Sequence, residues 1–143
     1  MKNILFRVDA SNFLGSGHVH RCLELQKILQ SKKKYKIEFL TSDFTDNLNN
    51  LIKTKKIKVN KNKLNFKLKK SNFKNKKNIL IFENLDIIKT KKFLRSNKQN
   101  ILILDSKYLS SKWEKNIRPL VDHLLVINNH NKKKKHYCDT LYD

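Results

Sequence analysis

The segment DASNFLGSGHVHRC, Asp9 to Cys22, gathers an acid, two histidines, an arginine and a thiol around Gly15 and Gly17, and the chain has only those two glycines. Glycine opens backbone conformations closed to other residues and lets a ligand approach closely. A helix that starts just after such a loop aims unpaired N–H groups and its positive dipole end at the same spot. His18 falls in that first turn, where a neutral imidazole able to take up a proton is favoured. Asp9 is placed to orient His18 or to grip a ligand hydroxyl. Arg21, one turn on, is placed to meet an anion at the same mouth. Singly, each has an ordinary reading: Asp9 as a turn former, His18 as a helix cap, Arg21 as a surface charge. Their conjunction on one loop points to a site. The loop is not a dinucleotide fingerprint, for it lacks a third glycine and an acid closing the second strand. Nor is it a P-loop, for it lacks the Lys-Ser/Thr pair. His20 and Cys22 carry less signal, and Cys22 reads as core-facing.

The elements that must hold this loop follow from hydrophobic spacing. Asn3–Val8 reads as a short buried strand. His18–Gln30 is helical, with Val19, Cys22, Leu23, Leu25, Ile28 and Leu29 recurring every three or four residues. Tyr35–Leu40 is a second strand. Ser42 and Asp43 are placed to cap a helix running to about Lys53, with Phe44, Leu48, Leu51 and Ile52 on one face. Ile57–Val59 is a weak third strand. Residues 60–77 read as an edge strand or a solvated loop, with a brief alternation at Leu64, Phe66 and Leu68. NILIFEN (78–84) reads as a strand ending in Glu83, followed by an amphipathic helix over Leu85–Arg95. NILILDS (100–106) repeats the strand pattern and ends in Asp105. A helical turn or more surrounds Trp113, HLLVINN (123–129) is another strand, and 130–143 has no periodicity. Short apolar strands alternating with helices imply an α/β fold: a Rossmann-like parallel sheet with helices on both faces. Ligands bind such sheets beyond the carboxyl ends of the strands. Asp9, Glu83, Asp105 and Asn128 then form a candidate floor, although polar residues also commonly end strands and cap helices.

A chain of 143 residues is enough for one domain with a real core. Its net charge of +21 would ordinarily point to nucleic acid or an anionic membrane surface. Yet only Arg7, Arg21, Arg95 and Arg118 among the 33 basic residues are arginine, and the chain is rich in Lys, Asn and Ile but holds one Ala and one Pro. That is the mark of AT-rich codons loading lysine onto a permissive surface. The Lys runs at 32–34, 67–70, 74–77 and 132–135 lack the arginines and aromatics of a nucleic-acid site, so no specific nucleic-acid partner is expected. Cys22 and Cys138 show no CxxC or metal-ligand spacing, which fits a reducing compartment and no disulfide scaffold. Arg7 interrupts the first apolar run too early for a signal peptide. No stretch approaches the roughly 18 apolar residues of a membrane span. The expectation is a soluble cytoplasmic protein without a transmembrane segment.

FRVDASNFLGSGHVHRCLEL resembles the opening motif, roughly F-R-x-D-x(5)-G-x-G-H-x-x-R-C-L-x-L, of the UDP-2,4-diacetamido-2,4,6-trideoxy-β-L-altropyranose hydrolases of pseudaminic acid biosynthesis. These enzymes are related to the spore-coat polysaccharide and MurG-type glycosyltransferases. Phe6, Arg7, Asp9, Gly15, Gly17, His18, Arg21, Cys22, Leu23 and Leu25 fall in register. Weaker similarity continues through NILILDS and RPLVDHLLVINN. The resemblance implies the N-terminal half of a GT-B fold over 1–129, with 130–143 as an irregular tail, the start of an interdomain linker or a truncation scar. It implies hydrolysis of a UDP-linked sugar to UDP and free sugar, with His18 as general base activating water. Asp9, Gly15, Gly17, Arg21 and Asp105 would bind substrate. No metal or organic cofactor is implied. The partners implied are the UDP-sugar and a C-terminal GT-B domain in cis or trans, which would hold the nucleotide. Departures from the family pattern fall at Glu83-Asn84-Leu85, where a His or Tyr is common, and at Ser106, where a second Asp is expected. Other readings of the same residues are half of a GT-B glycosyltransferase, a non-catalytic sugar-binding module or remnant, and a basic nucleic-acid binder.

Overall fold

The first strand, β1 (Lys2–Val8), is buried on both faces from Ile4 onward, and this is why it reads as a continuous apolar run rather than an alternation. The computed structural model describes residues 1–9, 11, 17–43, 49–53, 57–63, 70–127 and 135–142. After β1 come α1 (Gly17–Ser31), β2 (Tyr35–Ser42), α2 (Asn49–Lys53) and β3 (Lys58–Asn62). A 3-10 turn at Lys70–Phe73 leads to α3 (Lys76–Ser96), then β4 (Ile101–Asp105), α4 (Ser111–Ile117), β5 (His123–Ile127) and β6 (Thr140–Tyr142). All six strands run parallel, in the order β3-β2-β1-β4-β5-β6. This is the doubly wound Rossmann order. Its direction of winding reverses between β1 and β4, and a crevice opens there at the carboxyl edge.

Strand pleating sorts the core into two layers. Ile4, Phe6 and Val8 point to the α1 side, where they meet Val19, Cys22 and Leu23 of α1, Ile37 and Phe39 of β2, and Ile103 of β4. Phe6 and Phe39 stack at 4.8 Å. Leu5, Leu40, Leu102, Leu104, Leu124 and Val126 point to the other side, against Phe82, Ile87 and Leu94 of α3 and Trp113 and Ile117 of α4.

The structure corrects the reading of NILIFEN. These residues belong to α3, a 21-residue helix, and do not form a strand. Four successive apolar residues fit either element. The surrounding positions decide, because Phe82, Asp86, Thr90 and Leu94 are buried at four-residue spacing along one face. Asn75 caps the helix by accepting from Asn78 N at 2.9 Å. Elsewhere the elements run close to the sequence expectation, except that Ser42 closes β2 with its Oγ bonded to Arg7 and Asp86 and does not cap a helix. Of the features read at 43–69, Phe44, Leu48, Leu64, Phe66 and Leu68 lie outside the described residues. The unpatterned tail contributes β6. It is attached by Asp139, whose carboxylate accepts Leu124 N at 2.7 Å and pairs with Arg118 at 2.7 Å. Those contacts hold the Asp139 carboxyl below its usual range, the Leu124 N–H first and Arg118 after it. Cys22 and Cys138 are free thiols.

Candidate functional site

Asp105 ends β4 on the α1 side of the sheet, in register with Val8 at the end of β1, so its carboxylate lies in the crevice where the winding reverses. It is fully buried. Two residues one turn apart on α1 converge on it. His18 Nδ1 lies 2.6 Å from Asp105 Oδ1. Arg21 donates to both oxygens, Nη2 to Oδ1 at 2.6 Å and Nε to Oδ2. A planar guanidinium matches a carboxylate in this two-bonded form. Cys22 donates weakly to Oδ2 at 3.7 Å. Burial alone would raise the Asp105 carboxyl. Hydrogen bonds from Arg21 and then His18 outweigh it, and the group is held below the usual carboxylate range. Bonding to Asp105 raises Arg21 in turn, and burial pushes the Cys22 thiol well up, so Cys22 is core-facing and no nucleophile.

The hydrogen-bond pattern fixes the chemistry of the ring. A carboxylate is acceptor-only, so a hydrogen bond across the 2.6 Å contact puts a proton on Nδ1 of His18, and in the tautomer this selects Nε2 is the nitrogen without one. Arg21 Nη2, 3.3 Å from the same Nδ1, is then a close neighbour held by the shared carboxylate. The His18 side chain keeps 14% of its surface and that of Arg21 38%, while Asp105 has none. The acid is the buried hub, and the two bases are what a ligand can reach.

The structure changes the expected roles of two acids. Asp9 does not orient His18; Asp105 does. Asp9 lies on the opposite side of the sheet, 4% exposed, accepting Arg7 Nη1 at 2.8 Å and Ser42 N at 2.8 Å through Oδ1. Side chains at positions 7 and 9 share a face, and that face is the α3 side. Glu83 sits on α3, not at a strand end. It clamps the start of α4, accepting from Ser110 Oγ at 3.0 Å and from Ser110 N. Gly15 and Asn128 lie outside the described residues. Gly17 opens α1, its φ is not left-handed, and a Cβ there would meet no described atom within 4 Å.

The structure also shows a network that the sequence did not reveal. Arg7 is wholly buried. It donates to both oxygens of Asp86 on α3, from Nε at 3.3 Å and from Nη2, and from Nη2 to Ser42 Oγ at 2.7 Å. Asp86 also accepts from Trp113 Nε1 at 2.8 Å, Thr90 Oγ1 at 3.1 Å and Asn62 Nδ2 at 3.3 Å. Burial works against both charges. Mutual pairing wins, raising Arg7 and lowering Asp86. The only sequence signal was a lone arginine in an otherwise apolar strand, which implies a buried counter-charge without saying where it is.

Among the described residues no three His, Cys, Asp or Glu side chains converge as a metal site needs. No described helix is long and apolar enough to cross a membrane. Broad clefts of about 690 Å³, between α4 and residues 136–139, and about 400 Å³, between α1, β4 and β5, are lined by residues other than His18, Arg21 and Asp105.

No family model matches the chain, and no curated protein matches it. A dTDP-glucose 4,6-dehydratase from Bacillus anthracis superposes with a TM-score of 0.46 at 12% identity over 98% of this chain and 45% of its own, too loosely to carry an argument. MurG of Acinetobacter baumannii superposes with a TM-score of 0.63 at 15% identity, covering 89% of this chain. The chain spans 35% of that protein's length. At this identity the likeness is one of fold: a Rossmann-like α/β domain resembling the N-terminal half of a GT-B structure.

Proposed function

We propose that the chain is the base-bearing half of a GT-B-type nucleotide-sugar enzyme, and that its reaction is hydrolysis of a UDP-linked 2,4-diacetamido-2,4,6-trideoxy sugar. The observation that carries this reading is the His18–Asp105 contact at the β1/β4 crevice, with Arg21 closing the carboxylate from the other side. Nε2 of His18 takes a proton from water as its oxygen attacks the anomeric carbon. The bond from that carbon to the UDP oxygen breaks, and UDP leaves with the electron pair. Asp105 holds the ring in the tautomer that keeps Nε2 basic and balances the imidazolium as it forms, the role a buried carboxylate plays behind a catalytic histidine. Arg21 keeps Asp105 ionised. Gly17, with no side chain and no described atom within 4 Å of where a Cβ would stand, would let the phosphate or sugar approach the start of α1. The reading calls for a C-terminal GT-B domain, in cis or in trans, to hold the uridine.

UDP release from the altropyranose nucleotide sugar, followed with that second domain supplied, tests it. His18→Ala should lose about 10²–10⁴ in rate. Full activity in this variant removes the base assignment. The fold likeness to MurG favours a second reading, transfer of the sugar to an acceptor by the same half-site. A product assay with and without an acceptor hydroxyl separates the two.

A further inference from the structure

The carboxylates buried among the described residues are Asp9, Glu38, Glu83, Asp86, Asp105 and Glu114. All but Glu38 accept at least one hydrogen bond of 3.0 Å or less. The partners of Glu38 stand at 3.5 Å: Lys58 Nζ beside Oε1, on a side chain 63% exposed, and Asn60 Nδ2 beside Oε2. A buried charge held so loosely has given up its hydration without an equal replacement. Register with Leu5 turns Glu38 to the α3 side. It lies toward the amino edge of the sheet, away from the rim that carries His18 and Asp105. There it lines a cavity of about 100 Å³ with Asn3, Lys36, Asn97, Lys98 and Gln99. Gln99 is 3% exposed, and its Oε1 accepts no hydrogen bond from any described residue. A buried acceptor in this state is costly unless a donor or a cation meets it. The cavity also abuts the end of α3, where Asn97 is the C-cap. The negative end of the helix dipole therefore faces the same place.

We propose that this cavity binds a small monovalent cation, of the potassium or sodium class, between Glu38 and Gln99. Three sources of negative potential meet there: the loosely paired Glu38 carboxylate, the open Gln99 oxygen and the carbonyl end of α3. The donor set selects the class of ion. One carboxylate with neutral amide oxygens suits a monovalent cation that exchanges its hydration shell for carbonyl-type oxygens. Calcium asks for a fuller shell of oxygens, and magnesium for strict octahedral geometry. Lys36 and Lys98 are exposed at the edge of the cavity. Their charges repel a divalent ion twice as strongly as a monovalent one, and they keep the affinity modest. The ion ties together segments that otherwise meet through few bonds. Asn3 Nδ2 donates to Lys98 O at 3.1 Å, and Asn3 N to Asn100 Oδ1 at 2.9 Å. An ion on Glu38 and Gln99 adds β2 to that junction of β1 with the turn after α3. The site does not depend on which reaction the opposite rim performs.

Thermal unfolding of the chain tests it, in potassium, sodium or choline chloride at the same total salt of about 0.15 M, so that screening is equal. Choline carries the charge without the small size. Whichever of potassium and sodium fits the cavity better should raise the midpoint over choline by about 2–5 °C. Glu38→Gln and Gln99→Leu should each abolish that difference. In choline, Gln99→Leu should melt no lower than the unaltered chain, because it removes an unmet acceptor. Gln99→Glu should enlarge the ion-specific shift, and Lys36→Gln and Lys98→Gln should preserve or enlarge it. Circular dichroism checks the fold of each variant, and Gln99→Leu carries the test if Glu38→Gln does not fold. Equal midpoints in all three salts overturn the proposal, as does an ion-specific shift that survives both Glu38→Gln and Gln99→Leu. A larger rise with about 5 mM magnesium or calcium overturns the monovalent class. A fall in midpoint on Lys36→Gln or Lys98→Gln, in a chain indifferent to the salt, also overturns it and assigns the cavity to the chain's own ammonium group.

Discussion

Two cation–carboxylate clusters sit at the same rim of the sheet, on opposite faces, and burial separates their work. On the α3 side, Arg7, Asp9 and Asp86 are at most 4% exposed, and Ser42, Asn62, Thr90 and Trp113 supply further hydrogen bonds. On the α1 side, Asp105 is equally buried, but His18 and Arg21 keep part of their surface. The first cluster binds strand ends to a helix. The second presents a basic ring to a crevice. Alternation along β1 and β4 makes this division: one step in register would exchange the faces. Similar residue chemistry thus serves cohesion where every charged group is buried and leaves part of the His18 and Arg21 surface exposed on the other face.

The strongest way to break the comparison is to remove one charge from the buried side. Arg7→Ala leaves Asp86 and Asp9 without their cation, and Asp86→Ala leaves Arg7 one buried carboxylate, Asp9, in place of two. Arg7→Ala should cost about 3–5 kcal/mol, the usual penalty for leaving a buried charge unpaired, and Asp86→Ala should cost less because Asp9 still pairs with Arg7. Urea denaturation should show a large fall in midpoint for both. A loss under about 1 kcal/mol would mean that water reaches the network.

The rim cluster should respond in rate more than in stability. His18→Ala should lower UDP release by about 10²–10⁴ and leave the denaturation midpoint almost unmoved. Asp105→Asn should give a smaller loss of rate with a shifted pH profile, since the ring loses its charged partner. Its stability cost should stay near 1 kcal/mol, because Arg21 is partly exposed and solvent screens it. Raising salt should weaken this pair more than the Arg7–Asp86 pair.

Acid titration sharpens the same contrast. Both Asp86 and Asp105 have folded-state pKa values below the ordinary carboxylate value of about 3.9. A depressed carboxyl contributes stability that is complete above its unfolded pKa and is lost as pH falls through that value toward the folded one. Stability measured by urea should therefore be level above about pH 5 and decline below about pH 4. Asp86→Asn and Asp105→Asn should each flatten part of that decline. A decline centred near pH 6 would assign acid sensitivity to histidines instead.

How much of this was readable beforehand follows element by element. Strands β1, β2 and β4 were legible because they are largely buried on both faces, the exposed β6 was not, and α1 was legible because Val19, Cys22 and Leu23 keep helical spacing. NILIFEN was misread because four apolar residues carry no period of their own; the deciding burial of Asp86 and Thr90 lies beyond the run. Asp105 was recognisable as a rim residue, but its partners are 84 and 87 positions away, and no local pattern encodes such a contact. Asp9 was credited with the role of Asp105 because nearness in sequence to His18 hid the fact that its side chain leaves on the other face. The Arg7 network depends on five segments meeting, which spacing cannot foretell.

The glycines give the smallest and most discriminating test. In a chain so poor in glycine, backbone need was the natural reason to keep Gly17. The structure removes that reason, because Gly17 is helical, has no left-handed φ and has no described atom within 4 Å of where a Cβ would stand. The left-handed position in the described chain is Lys33, at φ 52°, just past α1. Glycine is the usual residue for such a position, yet lysine occupies it. Lys33→Gly should therefore stabilise by about 1 kcal/mol. Gly17→Ala should leave stability unchanged or raise it by about 0.4–1 kcal/mol, read as a rise in thermal midpoint. If Gly17 is kept for a ligand, the same alanine should raise KM for the nucleotide sugar in the two-domain assay while kcat changes less. A Gly17→Ala protein that is more stable and binds substrate normally would leave its glycine without a functional reason, and would move the phosphate contact to the loop before it.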